Sequence, residues 1–532
     1  MYFDFSLKKL FSISLIVLLL IVAVSMTFVL KQALFGSTPF VQAMRYWWND
    51  TSGYFAYSLE VQSKQTGKPQ QTNPLLALIN SFGGAKALVF NQNAPVAAAV
   101  PILTYHQIVD TPDGTNVTLT MFKEQMLELK NAGWQTVSLK DFEEFLHGTK
   151  KLPQKSFLVT FDDGAKESFY PVDPLFDVLG FNGVSFIIVH TIEQSGSKYY
   201  LSAEEISRML SSGRWEIGSH SYNGHDSITI DSSGRSGHFF SDKLWVPEKG
   251  RLETSGEFVL RISTDLQKSK DALMNYYHVP IDTLAYPFGD YGQGSQNFLS
   301  ATDTALDESK KIYQTGFYQT HGENFSFNYP DPNAFLAKRI SVHPEWSGKD
   351  LIAALDRGMP KSLPYEDPLE TRSGWISSWG DVGAGGHVLS LAAAKDSTGA
   401  SALLDGSYLW TNYQFDAQIN WHEGFAFLLV AAKNTQNYRA CVFNEGKVSL
   451  EQQSGTVRVG LGNGEDPNIH IGNNRHIGVV TNGDTISCMW DNRPVLTVAG
   501  LANQTGGIGL ATWEKSYGKA RIEVTKVSVK AL

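Results

Sequence analysis

From Val96 to about residue 350, short apolar runs alternate with segments of helical spacing, and the runs end in polar or titratable residues. VAAAVPILTYH, KSFLVTFDDG, GVSFIIVH, WEIGSHSYNGH and DTLAYPFG read as strands. Between them, MFKEQMLELKNAG puts Phe122, Met126 and Leu129 on one helix face and stops at Gly133. DFEEFLHG and DLQKSKDALMNYYHV are further helices, and SAEEISRMLSSG carries Ser202 as a cap with Glu205 three residues on. The segment DESKKIYQTGFYQTHG supplies a helix tail and a strand. Alternation sustained over about 250 residues predicts an α/β unit with parallel strands. Such folds build their sites where strands end. The pattern alone allows a closed barrel or an open sheet.

From about residue 365 the texture changes. LWTNYQFDAQINW, GFAFLLVAA, YRACVFNEGKVSLEQ, TVRVGLG and HIGVVTNGDTISCMWDNRPVLTVA are short alternating runs broken by turn signals, which predicts an antiparallel sandwich. The Pro-rich, charged PKSLPYEDPLETRS separates the two halves. The expected division is a cytoplasmic stub and membrane anchor at 1–31, a connecting region at 32–95, the α/β domain at 96–360, a linker at 361–374 and the sandwich at 375–532.

Phe11 to Leu30 is free of charge and, at 1.5 Å per residue, spans about 30 Å, the thickness of a bilayer core. Lys8 and Lys9 precede it, which favours a cytoplasmic amino terminus and an exported bulk. The alternative is a cleaved signal peptide, but the run is long for one and lacks a clean small-residue cleavage site. With Lys plus Arg at 44 against Asp plus Glu at 53, the net charge of −9 argues against nucleic acid as a partner. Cys441 and Cys488 permit a disulfide in an oxidising compartment, although separate buried thiols are the plainer reading.

Three motifs carry chemistry. TFDDG (Thr160 to Gly164) ends an apolar strand in two carboxylates, a pattern shared with turns that cap a following helix. SHSYNGH sets His220 and His225 five apart at another strand end. Two imidazoles and a carboxylate make a catalytic zinc pattern; two unrelated surface histidines are the simpler alternative. YPFGDYG (Tyr286 to Gly292) follows a third strand, with glycines that leave backbone amides open to a developing oxyanion.

Taken in order, LTYHQI, FLVTFDDG, WEIGSHSYNGH, the helix around DLQKSKDAL, LAYPFG and KRISV resemble the polysaccharide deacetylases of carbohydrate esterase family 4, the NodB-like family. They are most similar to its poly-β-1,6-N-acetylglucosamine N-deacetylase branch. The resemblance covers roughly residues 96 to 350. It implies a distorted (β/α)7-type barrel that hydrolyses N-acetyl groups with a divalent metal, zinc first and Co2+, Ni2+ or Mn2+ as alternatives. It implies Asp162 as general base, Asp163, His220 and His225 as metal ligands, the Phe288 amide as oxyanion donor, and His106 and Tyr286 along the substrate groove. Many members hold the base with an Arg where this chain has Ala285; either Arg339 substitutes for it or the base is held otherwise. The late catalytic histidine is His343 or His321, or neither. The implied substrate is an extracytoplasmic poly-N-acetylglucosamine-like polysaccharide, reached from the membrane. Peptidoglycan deacetylation, O-acetyl ester hydrolysis and an inactive glycan-binding scaffold are the competing readings. More loosely, the carboxy-terminal region resembles concanavalin or laminin-G-like sandwiches, a candidate carbohydrate-binding domain in which Trp410, Tyr413, Trp421 and Trp490 either bind sugar or fill the core.

Overall fold

The structure, a computed structural model, describes residues 95–193, 197–320, 324–372, 374–502 and 504–532. The apolar stretch at 11–30 and the connecting region up to residue 94 lie outside the described residues. Among the described residues no helix is long and apolar enough to cross a membrane.

The α/β half closes on itself. Strands β1 (Ile102–Tyr105), β2 (Ser156–Phe161), β3 (Gly183–Ile187), β4 (Trp215–Ser219), β5 (Thr283–Ala285), β6 (Thr315–Thr320) and β7 (Leu336–Ser341) each pair in parallel with the next. Strand β7 returns to β1, with Leu103 opposite Ile340 and Thr104 opposite Ser341. A barrel, not an open sheet, is the outcome.

The strands are apolar throughout because both faces are covered. On β2, Phe157, Val159 and Phe161 pack outward among residues of the helices, while Leu158 packs with Ile102, Val184, Phe186, Ala285, Phe317 and Ala337. With a period of two, Thr160 and then Asp162 continue the Leu158 face. Arg339 continues the Ala337 face of β7 in the same way.

Around the barrel lie α1 (Leu119–Asn131), α2 (Leu139–Leu146), α3 (Asp173–Leu179), α4 (Ala203–Ser211), α5 (Ser255–Tyr277), α6 (Ala301–Lys310) and α7 (Gly348–Gly358). The Ser202–Glu205 capping box forms as expected. Helix α5 begins well before the DLQKSK segment, at a second capping box of Thr254 and Glu257. Helix α7 was not among the predicted elements; its signal is Leu351 and Leu355, one turn apart and both buried.

No helix is described between β6 and β7. There Phe325 packs with Leu403, Phe427 and Leu429 of the second half, and Tyr329 stacks on Tyr408 at 4.3 Å. The two halves are therefore joined through side chains as well as through the linker.

The second half is a sandwich of two antiparallel sheets. Tyr413–Glu423 alternates buried and half-exposed positions along most of its length, as a strand with one face on a core must. Tyr365–Asp367, in the expected linker, pairs with the last strand, Arg521–Ala531. The aromatic residues Trp410, Tyr413, Trp421 and Trp490 are all buried, which corrects their reading as sugar-binding candidates: they fill the core. The cysteines also differ from the plainer expectation. Cys441 and Cys488 form a disulfide that ties one sheet to the other.

Candidate metal centre

At the end of β2 the chain turns sharply, with Asp163 at φ 72° and Gly164 at φ 70°. An L-residue in the left-handed region is uncommon, and Asp tolerates it better than most. The turn sends the adjacent carboxylates to different partners. Asp162 still bonds through its amide to Tyr105 O at 3.1 Å and keeps the strand direction into the barrel. Asp163 faces the histidines.

His220 follows β4 and is buried. Its Nδ1 lies 2.8 Å from the Ala285 carbonyl oxygen, so Nδ1–H donates and Nε2 keeps its lone pair for a ligand role. The five-residue spacing to His225 is bridged by a loop that Asp265 of α5 secures. Its carboxylate accepts the amides of Tyr222 at 3.0 Å and Asn223 at 2.6 Å. Burial raises the Asp265 pKa to about 6 against the pull of those amides.

The Nε2 atoms of His220 and His225 stand 3.5 and 3.4 Å from Asp163 Oδ1. That oxygen is buried and has no hydrogen-bond partner. An orphaned carboxylate oxygen is costly unless something cationic meets it. Two ligands bound tetrahedrally at 2.0–2.1 Å lie about 3.3 Å apart, close to both separations. The three residues therefore form a group able to hold a divalent ion. Burial would raise the Asp163 carboxyl, but His220, when it carries a proton on Nε2, outweighs that and holds it below the usual range. His225 is pushed down by burial and by the neighbouring His220.

Asp162 is enclosed differently. Arg339 Nη1 and Nη2 donate to its Oδ1 and Oδ2 at 2.6 and 2.8 Å, and neither side chain is exposed. Gln319 Nε2 approaches Oδ2 at 3.4 Å. Burial alone would raise this carboxyl; the charges of Arg339, His220 and His106 more than reverse it, and Asp162 stays ionised. Arg339 of β7 is thus the residue paired with Asp162, while Ala285 of β5 packs among the barrel-interior residues. Both side chains face into the barrel, so an arginine from either strand has access to the same interior.

The remaining predicted residues are placed as follows. His106 is half-buried and close enough for its charge to act on both Asp162 and Asp163. Phe288 sits at φ 61° with its ring 4.5 Å from that of His225. Tyr286 is fully buried, edge-on to Phe240 at 5.7 Å, and its side chain presents no exposed face. His343 is exposed; its described contacts are with Glu345 at 3.8 Å and the Trp346 ring at 4.8 Å. His321 lies outside the described residues. Asp265 was missed by sequence reasoning: a lone carboxylate on an amphipathic helix carries no signal that separates it from a surface residue.

Residues 149–305 match the family model for polysaccharide deacetylases. The poly-beta-1,6-N-acetyl-D-glucosamine N-deacetylase of Escherichia coli O157:H7 is 23% identical over 248 residues, covering 44% of this chain and 35% of that protein. The Staphylococcus aureus protein of the same name is 26% identical over 178 residues, 33% of this chain and 54% of its own. Among solved structures, a de-N-acetylase from Aggregatibacter actinomycetemcomitans is 16% identical with a TM-score of 0.41, covering 48% of this chain and 98% of that one. The chain spans about a third of the length of the Escherichia coli relative.

Proposed function

We propose that this chain, whose barrel carries a polysaccharide deacetylase domain, is a metal-dependent hydrolase that removes N-acetyl groups from an extracytoplasmic poly-N-acetylglucosamine-like polysaccharide. The observation that carries the reading is the Asp163–His220–His225 triangle, one residue along the chain from a buried, ionised Asp162.

Asp163, His220 and His225 would hold the ion, with zinc the first choice for such a ligand set and Co2+, Ni2+ or Mn2+ the alternatives. A divalent ion there supplies Lewis acidity to an acetyl carbonyl and lowers the pKa of a water. Asp162 accepts the proton of the attacking water on a carboxylate oxygen. Arg339 keeps that carboxylate charged and fixes its plane. The Phe288 amide is the proposed donor to the oxyanion, and a histidine, His343 or His321, protonates the departing amine. Water and amide are consumed; acetate and a glucosamine-type amine are released.

The same reading puts the protein at the membrane, anchored through residues 11–30, with the catalytic barrel outside the cytoplasm. The charge-free run supports this, and so does the Cys441–Cys488 disulfide, since such bonds persist in oxidising compartments.

Metal content and acetate release, measured side by side on N-acetylglucosamine oligosaccharides and on O-acetylated glycan, test the proposal. Asp163→Ala, His220→Ala and His225→Ala should lose ion and activity together. Asp162→Asn should keep the ion and lose roughly 10²-fold or more in turnover. Full occupancy in both histidine variants would mean the centre is misplaced, and a strong preference for O-acetyl groups would make the enzyme an esterase.

A further inference from the structure

The segment between β4 and α5 brings a second histidine–carboxylate pair to the rim of the centre. His238 Nδ1 lies 2.6 Å from Oδ2 of Asp290. Asp290 is buried, and its other oxygen accepts the Ser241 hydroxyl and the Gly292 amide. The backbone amide of His238 is also held, donating to Asp242 at 3.0 Å. Ring and backbone are thus fixed from two sides, yet the His238 side chain is 47% exposed. Its Nε2 has no partner among the described residues.

The ring does not stand alone. It stacks on Phe288 with centroids 4.8 Å apart and planes 17° from parallel. Phe288 in turn contacts the ring of His225, a proposed metal ligand, and leaves 46% of its own surface exposed. A run of three rings therefore leads outward from the metal centre: His225, Phe288, His238. Packing alone gives no reason to expose an apolar ring and an oriented imidazole here. A sugar gives one, because its apolar face packs on rings while its hydroxyls need a fixed polar partner.

We propose that His238 binds the sugar next to the one being deacetylated, donating or accepting a hydrogen bond at Nε2 while it and the exposed part of Phe288 form the wall of that subsite. The inference rests on the deacetylase reading and adds a polymer-recognition position to it. The Phe288 ring stands between His238 and the ligand His225. His238 is therefore set one ring outward from the centre, suited to a neighbouring sugar and not to handing a proton to the departing amine.

The test compares wild type with His238→Ala on a series of N-acetylglucosamine oligosaccharides and on a small activated acetyl ester, with metal content and melting temperature recorded for both proteins. Oligosaccharide dissociation constants are measured in parallel. The expected result is a loss in kcat/KM on the tetrasaccharide roughly tenfold greater than the loss on the ester, the size of one well-placed hydrogen bond, carried mainly by KM. Tetrasaccharide binding should weaken by the same factor, and metal content should match wild type. Equal losses on both substrates, or unchanged tetrasaccharide binding, would overturn the assignment. Wild-type protein that binds oligosaccharide but releases no acetate would sink the deacetylase reading instead, and the binding comparison would still decide the role of His238. Wild-type protein that neither binds nor hydrolyses the glycan would overturn both.

Discussion

Arg339 and Asp162 meet as a two-pronged pair, guanidinium to carboxylate at 2.6 and 2.8 Å, with both side chains sealed from solvent. They are separated by 177 residues of sequence, and barrel closure between β1 and its neighbours β2 and β7 brings them together.

Removing one partner of such a pair strands the other. Arg339→Met should cost about 3–5 kcal/mol in unfolding free energy, the usual penalty for an uncompensated buried charge. Turnover should fall while metal content holds, since Arg339 touches none of the proposed ligands. Urea unfolding with metal analysis checks both; a variant as stable as wild type would show that the pair contributes no net stability.

Asp265 holds the histidine loop through the backbone amides of Tyr222 and Asn223. Asp265→Ala should leave the barrel folded but free the loop, weakening metal affinity by about 10–100-fold, as loss of an outer-shell partner commonly does. Metal titration followed by circular dichroism separates loop release from unfolding. Unchanged affinity would mean that the loop holds its shape without the carboxylate.

Glu143, on α2 away from the metal centre, has its pKa raised to about 7 by burial and by the charges of Asp282 and Glu216, against a bond from Thr315. The folded state therefore binds a proton that the unfolded chain has already released between roughly pH 4.3 and 7. Its contribution to stability should fall as pH rises through that window. Glu143→Gln should flatten the pH dependence there and raise stability at pH 8 relative to wild type. Melting temperatures across pH 4.5 to 8 decide it, and parallel curves for the two proteins would count against the assignment.

The disulfide joins the two sheets across 47 residues of sequence. Cys441→Ser with Cys488→Ser should destabilise the sandwich by about 2–4 kcal/mol. Phe325 and Tyr329 dock the barrel on that sandwich, so loosening should extend to their contacts. Hydrogen exchange at both places measures it, and unaltered protection would show that the sheets hold without the bond.

Much of the molecule is legible in the sequence, for local reasons. Apolar runs of period two or near-continuous apolarity define strands, and Ser202 with Glu205 defines a helix start, because those signals act between residues a few positions apart. Asp162, Asp163, His220 and His225 stood out because each lies just past such a run, where a strand end exposes its side chains to a shared mouth.

What the chain's linear order left open was decided by distant pairs. Burial of Trp410, Tyr413, Trp421 and Trp490 depends on which sheet face meets the other, and alternation marks two faces without saying which is covered. The Cys441–Cys488 bond depends on how the two sheets are stacked. Asp265 reaches Tyr222 across 43 residues and His238 reaches Asp290 across 52. The sequence by itself therefore determined most of the elements, the two-part architecture and the residues able to hold a metal. Only the tertiary structure decided which charge holds Asp162, which carboxylate steadies the histidine loop and which imidazole reaches the rim, because these contacts depend on closing the barrel and ordering the loops over it.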